Sequence, residues 1–368
     1  MGALGGWSGA GGWSGAGGWS AAGGWSGAGG WSGAAAQGGW SAAPADADPM
    51  VANALTQSRA ALAGPFKGPV VPVVMPPLND PARLAEWASG PRMEICELEA
   101  LAGIAFRQQG NDTMQVGFVD VNKAGAQPLT LATLTRPTPA IVQQQLWLVS
   151  NYGELRSDRG SEVLTQMVPQ VPFWASVIGL TAHRHKYTVE LMGLLLSLAS
   201  HIEMRLKHEF AVQRAVELSP QVQPMIPTPG HASWPSGHST EAFAVSAVLQ
   251  ALLPNGAIYA EQLERQAARI AVNRTVAGLH YPVDTAVGRL LGAAIADFFV
   301  ARCNGAPLQQ RGFDGTQFQQ AGGAPLDFDL RVSMTNNASG YYQYGPVAGA
   351  IPVSPLLQFM WAKAQAEW

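Results

Sequence analysis

Apolar residues recur at three- and four-residue spacing in several long segments of this chain, and this periodicity constrains its possible folds more than any other feature. It predicts helices separated by proline and glycine clusters, over 82–107, 139–168, 186–217, 239–253, 260–277 and 283–301. Alternation of apolar and polar residues, which would indicate strands, is nearly absent. We therefore predict an all-α helical bundle of about ten helices or fewer.

A glycine-rich repeat precedes the helical segments. From Gly5 to Ser41 the unit Gly-Gly-Trp-Ser-Gly-Ala recurs, with tryptophan at positions 7, 13, 19, 25 and 31 and Trp40 out of register. Glycine-rich spacing with this short period cannot sustain a packed helix, so 1–45 is predicted to be a disordered, low-complexity tail. Spaced tryptophans also fit a second interpretation, an aromatic tether for an unknown surface or partner.

Two further regions follow the repeat. We expect a helical domain at 46–305 and, packed on it, a loop-rich C-terminal extension at 306–368. The formal net charge of −3 and the charged fraction of 13% provide no basic stripe, so nucleic acid is not an expected partner. Cys96 and Cys303 are too few for a disulfide framework. No uncharged run is long enough and free enough of proline to span a membrane, and the first residues lack a secretory signal pattern.

Two short motifs combine features of an anion site. The first, Lys207-His-Glu-Phe-Ala-Val-Gln-Arg214, carries two cations seven residues apart, which a continuous helix would place on one face. The second, Pro235-Ser-Gly-His238, precedes a predicted helix. Free backbone N–H groups at a helix start, a glycine without a side chain and a serine hydroxyl together favour anion binding. The histidine of this motif would lie within reach of a bound oxygen for proton transfer.

A third motif, Arg274-Thr-Val-Ala-Gly-Leu-His280-Tyr-Pro-Val-Asp284, supplies another cation and a histidine next to a carboxylate. Pro282 suits the first turn of a helix, so His280 is predicted just before that helix and Asp284 within its first turn. A carboxylate there can accept the proton of one imidazole nitrogen, which leaves the other nitrogen free to attack or to bind a metal. Each motif alone also has a structural interpretation, such as a solvated charge or a helix cap. Together they suit a tetrahedral oxyanion.

In this order, Lys-x6-Arg, Pro-Ser-Gly-His and Arg-x5-His-x3-Asp resemble the signature of the type 2 phosphatidic acid phosphatase and vanadium-dependent haloperoxidase superfamily. The longer phrases at 227–238 and 273–284 look like the soluble bacterial branch of that group. The resemblance implies an α-helical fold and a soluble protein, which we place in the bacterial cytoplasm with export left open. Ala215 stands where the family often has proline, which leaves the rigidity of the preceding arginine in question.

The resemblance also implies a role for each motif residue. His280 attacks phosphorus or bonds to vanadium, His238 is the acid/base, and Asp284 orients His280. The oxyanion is then bound by Lys207, Arg214, Ser236, Gly237 and Arg274.

Two reactions fit this set of residues. In a haloperoxidase, vanadate is the prosthetic group and hydrogen peroxide oxidises bromide or iodide; in a soluble acid phosphatase, a phosphomonoester is hydrolysed through a phosphohistidine without a cofactor. The resemblance places a second histidine of bromoperoxidases at His231, so we predict the haloperoxidase ahead of the phosphatase. The alternatives are that His231 caps a loop and that Trp234, which is expected at the pocket wall, packs in the core. A further alternative is a non-catalytic protein that binds an oxyanion or works through its tail.

Overall fold

A computed structural model describes residues 49–168 and 170–368, so the predicted tail at 1–45 lies outside the described residues. The described residues divide into two compact units, 49–95 with 167–168 and Cys96–Gln166 with Gln170–Trp368. The first unit contains helix α1 (Pro49–Leu62), a 3₁₀ helix (Pro81–Glu86) and the start of α2 (Ser89–Leu101). The three motifs all lie in the second unit.

The second unit combines helices with strands. Its strands are β1 (Ile104–Gln109), β2 (Thr113–Phe118), β3 (Leu129–Thr135), β4 (Leu308–Asp314) and β5 (Tyr342–Gly349). Its helices are α3 (Pro139–Tyr152), α4 (Arg156–Thr165), α5 (Val171–Ile178), α6 (Lys186–Phe210), α7 (Ala215–Leu218), α8 (Gly237–Leu252), α9 (Ala260–Val276), α10 (Pro282–Asn304) and α11 (Pro355–Gln365). Short 3₁₀ helices occur at Gly153–Leu155, Pro220–Val222, Gly256–Tyr259 and Gly315–Gln317.

The all-α prediction is wrong, because the five strands form one mixed sheet in the order β1-β2-β3-β4-β5. Neighbouring strands are antiparallel except β3 and β4, which run parallel with Ala132 opposite Arg311. Strand β3 has the sequence Leu-Thr-Leu-Ala-Thr-Leu-Thr, whose threonines and buried leucines suit a strand. Strands β4 and β5 contain glycine or proline and lack a period of two, so their pairing depends on tertiary contacts that periodicity does not record.

The helix predictions succeed after residue 237 and are less accurate before it. The segments 239–253, 260–277 and 283–301 correspond to α8, α9 and α10. The segment 139–168 is interrupted at Gly153–Leu155. The segment 82–107 fails at its end, where Gly103 has a φ of +88° and a Cβ would lie 2.2 Å from the carbonyl oxygen of Val119. Glycine permits both the left-handed backbone and the close approach, and the chain continues as strand β1.

The close packing of α8 against α10 positions the site. A Cβ at Gly292 of α10 would lie 2.4 Å from the carbonyl oxygen of Thr240 on α8, so the two backbones approach closely only because this residue is glycine. At the start of both helices the backbone N–H of Ser236 donates to the carbonyl of Asp284 at 3.2 Å. The second and third motifs are therefore in direct contact.

Candidate active site

Lys207 lies in the last turn of α6 and is buried, with 1% of its surface exposed. Its Nζ donates to the carbonyl of Ser233 at 3.1 Å and to the carbonyl of Pro235. Burial lowers the pKa of Lys207 to about 8, with the carboxylate of Glu203 opposing the shift and the charge of Arg214 contributing to it. The lysine is thus a desolvated cation held against the loop that leads into α8.

Arg214 does not lie on the same helix as Lys207, so the prediction of one shared helical face is wrong. Helix α6 ends at Phe210, Ala211 has a φ of +50°, and Arg214 is extended ahead of α7. Its backbone N–H donates to Glu217 Oε2 at 2.7 Å, and the Glu217 N–H donates back to its carbonyl at 3.0 Å. This reciprocal cap holds the backbone at Arg214 although Ala215 replaces the proline that is frequent in the family.

The guanidinium of Arg214 contacts the third motif and His231, which lies shortly before the second motif. Its Nε donates to the carbonyl of His231 at 3.0 Å, and its Nη1 donates to the carbonyl of Leu279 at 2.9 Å. The same Nη1 lies 3.0 Å from His280 Nε2, and Nη2 lies 3.1 Å from His231 Nδ1. A guanidinium can only donate, so His280 Nε2 carries a lone pair; His231 Nδ1 also lies 3.1 Å from the carbonyl of Ala232, an acceptor.

His280 and Asp284 form the predicted pair. His280 Nδ1 lies 2.8 Å from Asp284 Oδ2, which also accepts from the hydroxyl of Ser233 at 2.5 Å and from the N–H of Tyr281 at 3.2 Å. Burial raises the pKa of Asp284 to about 6, although these hydrogen bonds oppose the shift. Burial also lowers the pKa of His280, and the charge of Arg214 adds to this effect. The imidazole is therefore neutral, with hydrogen on Nδ1 and the Nε2 lone pair directed at a cation.

His238 is neutral with the opposite tautomer. Its Nε2 lies 2.8 Å from the carbonyl of Gln166, which can only accept, so Nε2 carries the hydrogen and Nδ1 the lone pair. Burial lowers the pKa of His238 to about 3, and the charge of Arg274 adds to this effect. Nδ1 is thus the atom of this ring that can take up a proton.

Arg274 is the third buried cation, with 1% of its surface exposed near the end of α9. Its Nη2 donates to the carbonyl of Val163 and to Gln166 Oε1, both at 3.1 Å. Its Nε is buried without a hydrogen-bond partner. Burial lowers the pKa of Arg274 to about 10. The Nε–H group of this buried cation has no acceptor among the described residues. A bound anion would supply the missing acceptor.

Ser236 and Gly237 form the start of α8. The hydroxyl of Ser236 accepts from the N–H of Ser239 at 3.4 Å, and Gly237 is the first helical residue. A Cβ at Gly237 would lie 2.4 Å from Glu203 Oε1, so a larger residue here would make the carboxyl group of Glu203 move.

His231 and Trp234 lie on either side of Ser233. Burial lowers the pKa of His231 to about 4, and the charge of Lys207 adds to this effect. The Trp234 ring is fully buried, with its centroid 4.5 Å from the ring of Phe210 and 6.3 Å from that of Phe313. These contacts describe the core-packing alternative for Trp234 rather than a pocket wall.

Sequence reasoning missed four residues of this region, Gln166, Ser233, Glu203 and Glu241. Burial raises the pKa of Glu203, with the charge of Glu241 adding to the shift, and burial raises the pKa of Glu241 to about 7. Glu203 lies one helical turn before Lys207, and Glu241 one turn after Gly237. Both glutamates lie four residues from a motif residue on a helix, and this spacing could have predicted that their carboxyl groups face the site.

Comparison with known proteins bears mainly on the part of the chain that carries the motifs. Residues 207–304 match the family model described as the PAP2 superfamily. One similar solved structure, of the first transmembrane PAP2 type phosphatidylglycerolphosphate phosphatase from Bacillus subtilis, has 19% sequence identity and a TM-score of 0.35, over 43% of this chain and 84% of that one. No curated protein matches the chain. Among the helices within 49–168 and 170–368, none is both long and apolar enough to cross a bilayer.

Proposed function

Given that residues 207–304 are a PAP2 superfamily domain, we propose that this protein hydrolyses phosphomonoesters through a phosphohistidine on His280. The observation that carries the proposal is the His280–Asp284 pair. Its 2.8 Å hydrogen bond leaves the Nε2 lone pair facing Arg214, where a phosphoryl group would be held. A nucleophile activated by an oriented partner and surrounded by cations is the arrangement that phosphoryl transfer needs.

Binding of the phosphoryl group would use the three buried cations. Lys207 and Arg214 donate mainly to backbone carbonyls, and Arg274 has an unpartnered Nε. A dianion offers stronger, charge-assisted hydrogen bonds than neutral carbonyls do, so it can compete for these donors. It must also draw the Arg214 guanidinium away from His280, which frees the nucleophile when substrate is present.

The first chemical step forms a bond between His280 Nε2 and phosphorus and breaks the ester P–O bond. Asp284 stabilises the positive charge that develops on the imidazole. The leaving alkoxide takes a proton from His238 Nδ1, which has been protonated in the complex: the bound phosphate dianion raises the histidine pKa, or a monoanionic substrate delivers the proton.

In the second step, water attacks phosphorus and the P–N bond breaks. His238 Nδ1 accepts the proton of that water, and the lone pair returns to His280 Nε2. Phosphate then leaves, and His238 Nδ1 passes its proton to the departing phosphate or to solvent, which restores the neutral histidine with atoms and charge balanced.

The test is hydrolysis of p-nitrophenyl phosphate, with rapid acid-free quenching and detection of an acid-labile phosphohistidine. His280→Ala should remove both turnover and the phosphorylated residue, while His208→Ala, which changes an exposed histidine next to Lys207, should retain both. Turnover that persists in His280→Ala would refute the proposed mechanism.

A second candidate, halide oxidation, is favoured by His231, whose Nδ1 lies 3.1 Å from Arg214 Nη2. The site fits vanadate as it fits phosphate, because the unpartnered Arg274 Nε and the other buried cations suit any tetrahedral oxyanion. His280 would bond to the metal, and the oxygens would be held by Lys207, Arg214, Ser236, Gly237 and Arg274. Bound vanadate supplies activation of hydrogen peroxide for bromide or iodide oxidation.

This candidate comes second because the contact between His231 and Arg214 also has a simpler explanation, namely that the histidine positions the guanidinium. Its test is peroxide-dependent bromination of a chromogenic acceptor after addition of vanadate, with His280→Ala as the blank. Bromination above the blank that His231→Ala lowers would place this candidate first.

A further inference from the structure

Gln166 directly follows α4 and is fully buried, and it contacts two groups of the site. Its backbone carbonyl accepts from His238 Nε2 at 2.8 Å, while its side-chain Oε1 accepts from Arg274 Nη2 at 3.1 Å. Neither the motifs nor the proposed mechanism uses this residue. A single glutamine therefore connects the acid/base with one of the three cations.

The orientation of the Gln166 amide is determined by its neighbours. Arg274 can only donate, so the atom that faces it must be the oxygen. The same Oε1 accepts from Asn273 Nδ2 at 3.0 Å. The amide nitrogen Nε2 is thereby directed away from both partners, and it is buried without a hydrogen-bond partner.

Arg274 presents a matching unpartnered donor, its Nε. Each of these two nitrogens is two covalent bonds from an atom of the 3.1 Å contact between Arg274 Nη2 and Gln166 Oε1. The two unpartnered donors therefore belong to the two side chains that meet at this one contact. A buried donor without a partner is destabilising, so two on adjacent side chains indicate a place for an acceptor.

We propose that Gln166 is a further oxyanion-binding residue, whose Nε2–H donates to the anion that Arg274 Nε also binds. The proposal rests on the proposed function in assigning an oxyanion to this site. The competing explanation is that Gln166 only positions Arg274 through Oε1. The two explanations differ in the effect of Gln166 on anion affinity once Arg274 has been replaced. Direct donation predicts that an effect remains, and positioning alone predicts that it disappears.

A double-mutant cycle separates them, with inorganic phosphate as the probe and calorimetry as the readout. The proteins are the wild type, Gln166→Met, Arg274→Ala and the double variant. Methionine preserves the length of the side chain and the backbone carbonyl that holds His238. Gln170→Met is the matched control, since this buried glutamine donates to the same carbonyl at 3.4 Å.

We expect Gln166→Met to weaken phosphate binding about tenfold relative to the wild type. The double variant should bind phosphate at least about threefold more weakly than Arg274→Ala does. Gln170→Met should stay within about twofold of the wild type. Equal phosphate affinity of Arg274→Ala and the double variant would overturn direct donation, as would unchanged binding in Gln166→Met. Should Arg274→Ala fail to fold, Arg274→Lys completes the cycle, because lysine lacks the Nε donor.

Steady-state kinetics gives a second readout that a purely structural role would not move. Gln166→Met should raise KM about tenfold, whereas the His238 limb of the kcat–pH profile should stay in place because the backbone carbonyl is retained. A shifted limb with unchanged KM would contradict oxyanion binding. Failure of the proposed function is distinct, since it shows as turnover surviving in His280→Ala whatever the phosphate cycle gives.

Discussion

The buried charge of Lys207 should make the stability of the protein depend on pH in a predictable direction. The side chain is 1% exposed and donates only to backbone carbonyls, and burial lowers its pKa from 10.5 to about 8. Between these two pH values the unfolded chain keeps a proton that the folded protein has released. The free energy of unfolding therefore rises with pH across this window.

The size of the effect follows from the shift. A displacement from 10.5 to about 8 corresponds to about 3 kcal/mol, of which about 2 kcal/mol should be gained between pH 7 and pH 10. Other groups also titrate in this range, so the quantity to measure is the difference in unfolding free energy between the wild type and Lys207→Met. This difference should move by about 2 kcal/mol in favour of the wild type as pH rises.

Urea unfolding followed by far-ultraviolet circular dichroism at each pH provides the measurement. Lys186→Met, at the exposed other end of α6, controls for the loss of a lysine charge and should not change the pH slope. Excess phosphate should delay the rise to higher pH, because a bound anion favours the protonated lysine. A wild-type minus Lys207→Met difference that stays flat from pH 7 to pH 10 would refute the reasoning.

Three further predictions concern catalysis and packing. His238→Ala should lower kcat by about 100-fold or more with little change in KM; loss in KM alone would assign the histidine to binding instead. Asp284→Asn should lower the rate of phosphohistidine formation by about 10- to 100-fold in single-turnover assays, and an unchanged rate would contradict its orienting role. Gly292→Ala would place Cβ 2.4 Å from a backbone oxygen and should cost about 1–3 kcal/mol, visible as a Tm several degrees lower. Gly64→Ala, with open space around it, should melt like the wild type.

Local signals in the sequence account for the best-predicted part of the site. Pro282 marks the start of α10, and the four-residue spacing from His280 to Asp284 brings their side chains together at that start. Ser236 likewise caps α8. Each of these contacts spans less than two helical turns, so short-range geometry suffices to predict it.

Contacts between distant parts of the chain could not be predicted in this way. The carbonyl of Gln166 reaches His238 from 72 residues away, and nothing near either residue indicates the partner. The end of α6 could not be predicted either. Ala211 adopts a φ of +50° there, whereas the residue at such a helix end is usually glycine. Arg214 therefore lies beyond the end of α6, and its contacts with His231 and His280 could not be predicted from its seven-residue spacing from Lys207.

The parallel pairing of β3 with β4 has a consequence for synthesis of the protein. Strand β3 is complete at Thr135, but its partner does not exist until Leu308 has been added, after all helices from α3 to α10. During that interval β3 presents an open edge to which another strand could add. Pairing of β3 with β4 can therefore begin only after most of the chain has been synthesised, and closure of the sheet is a late event of folding on the ribosome.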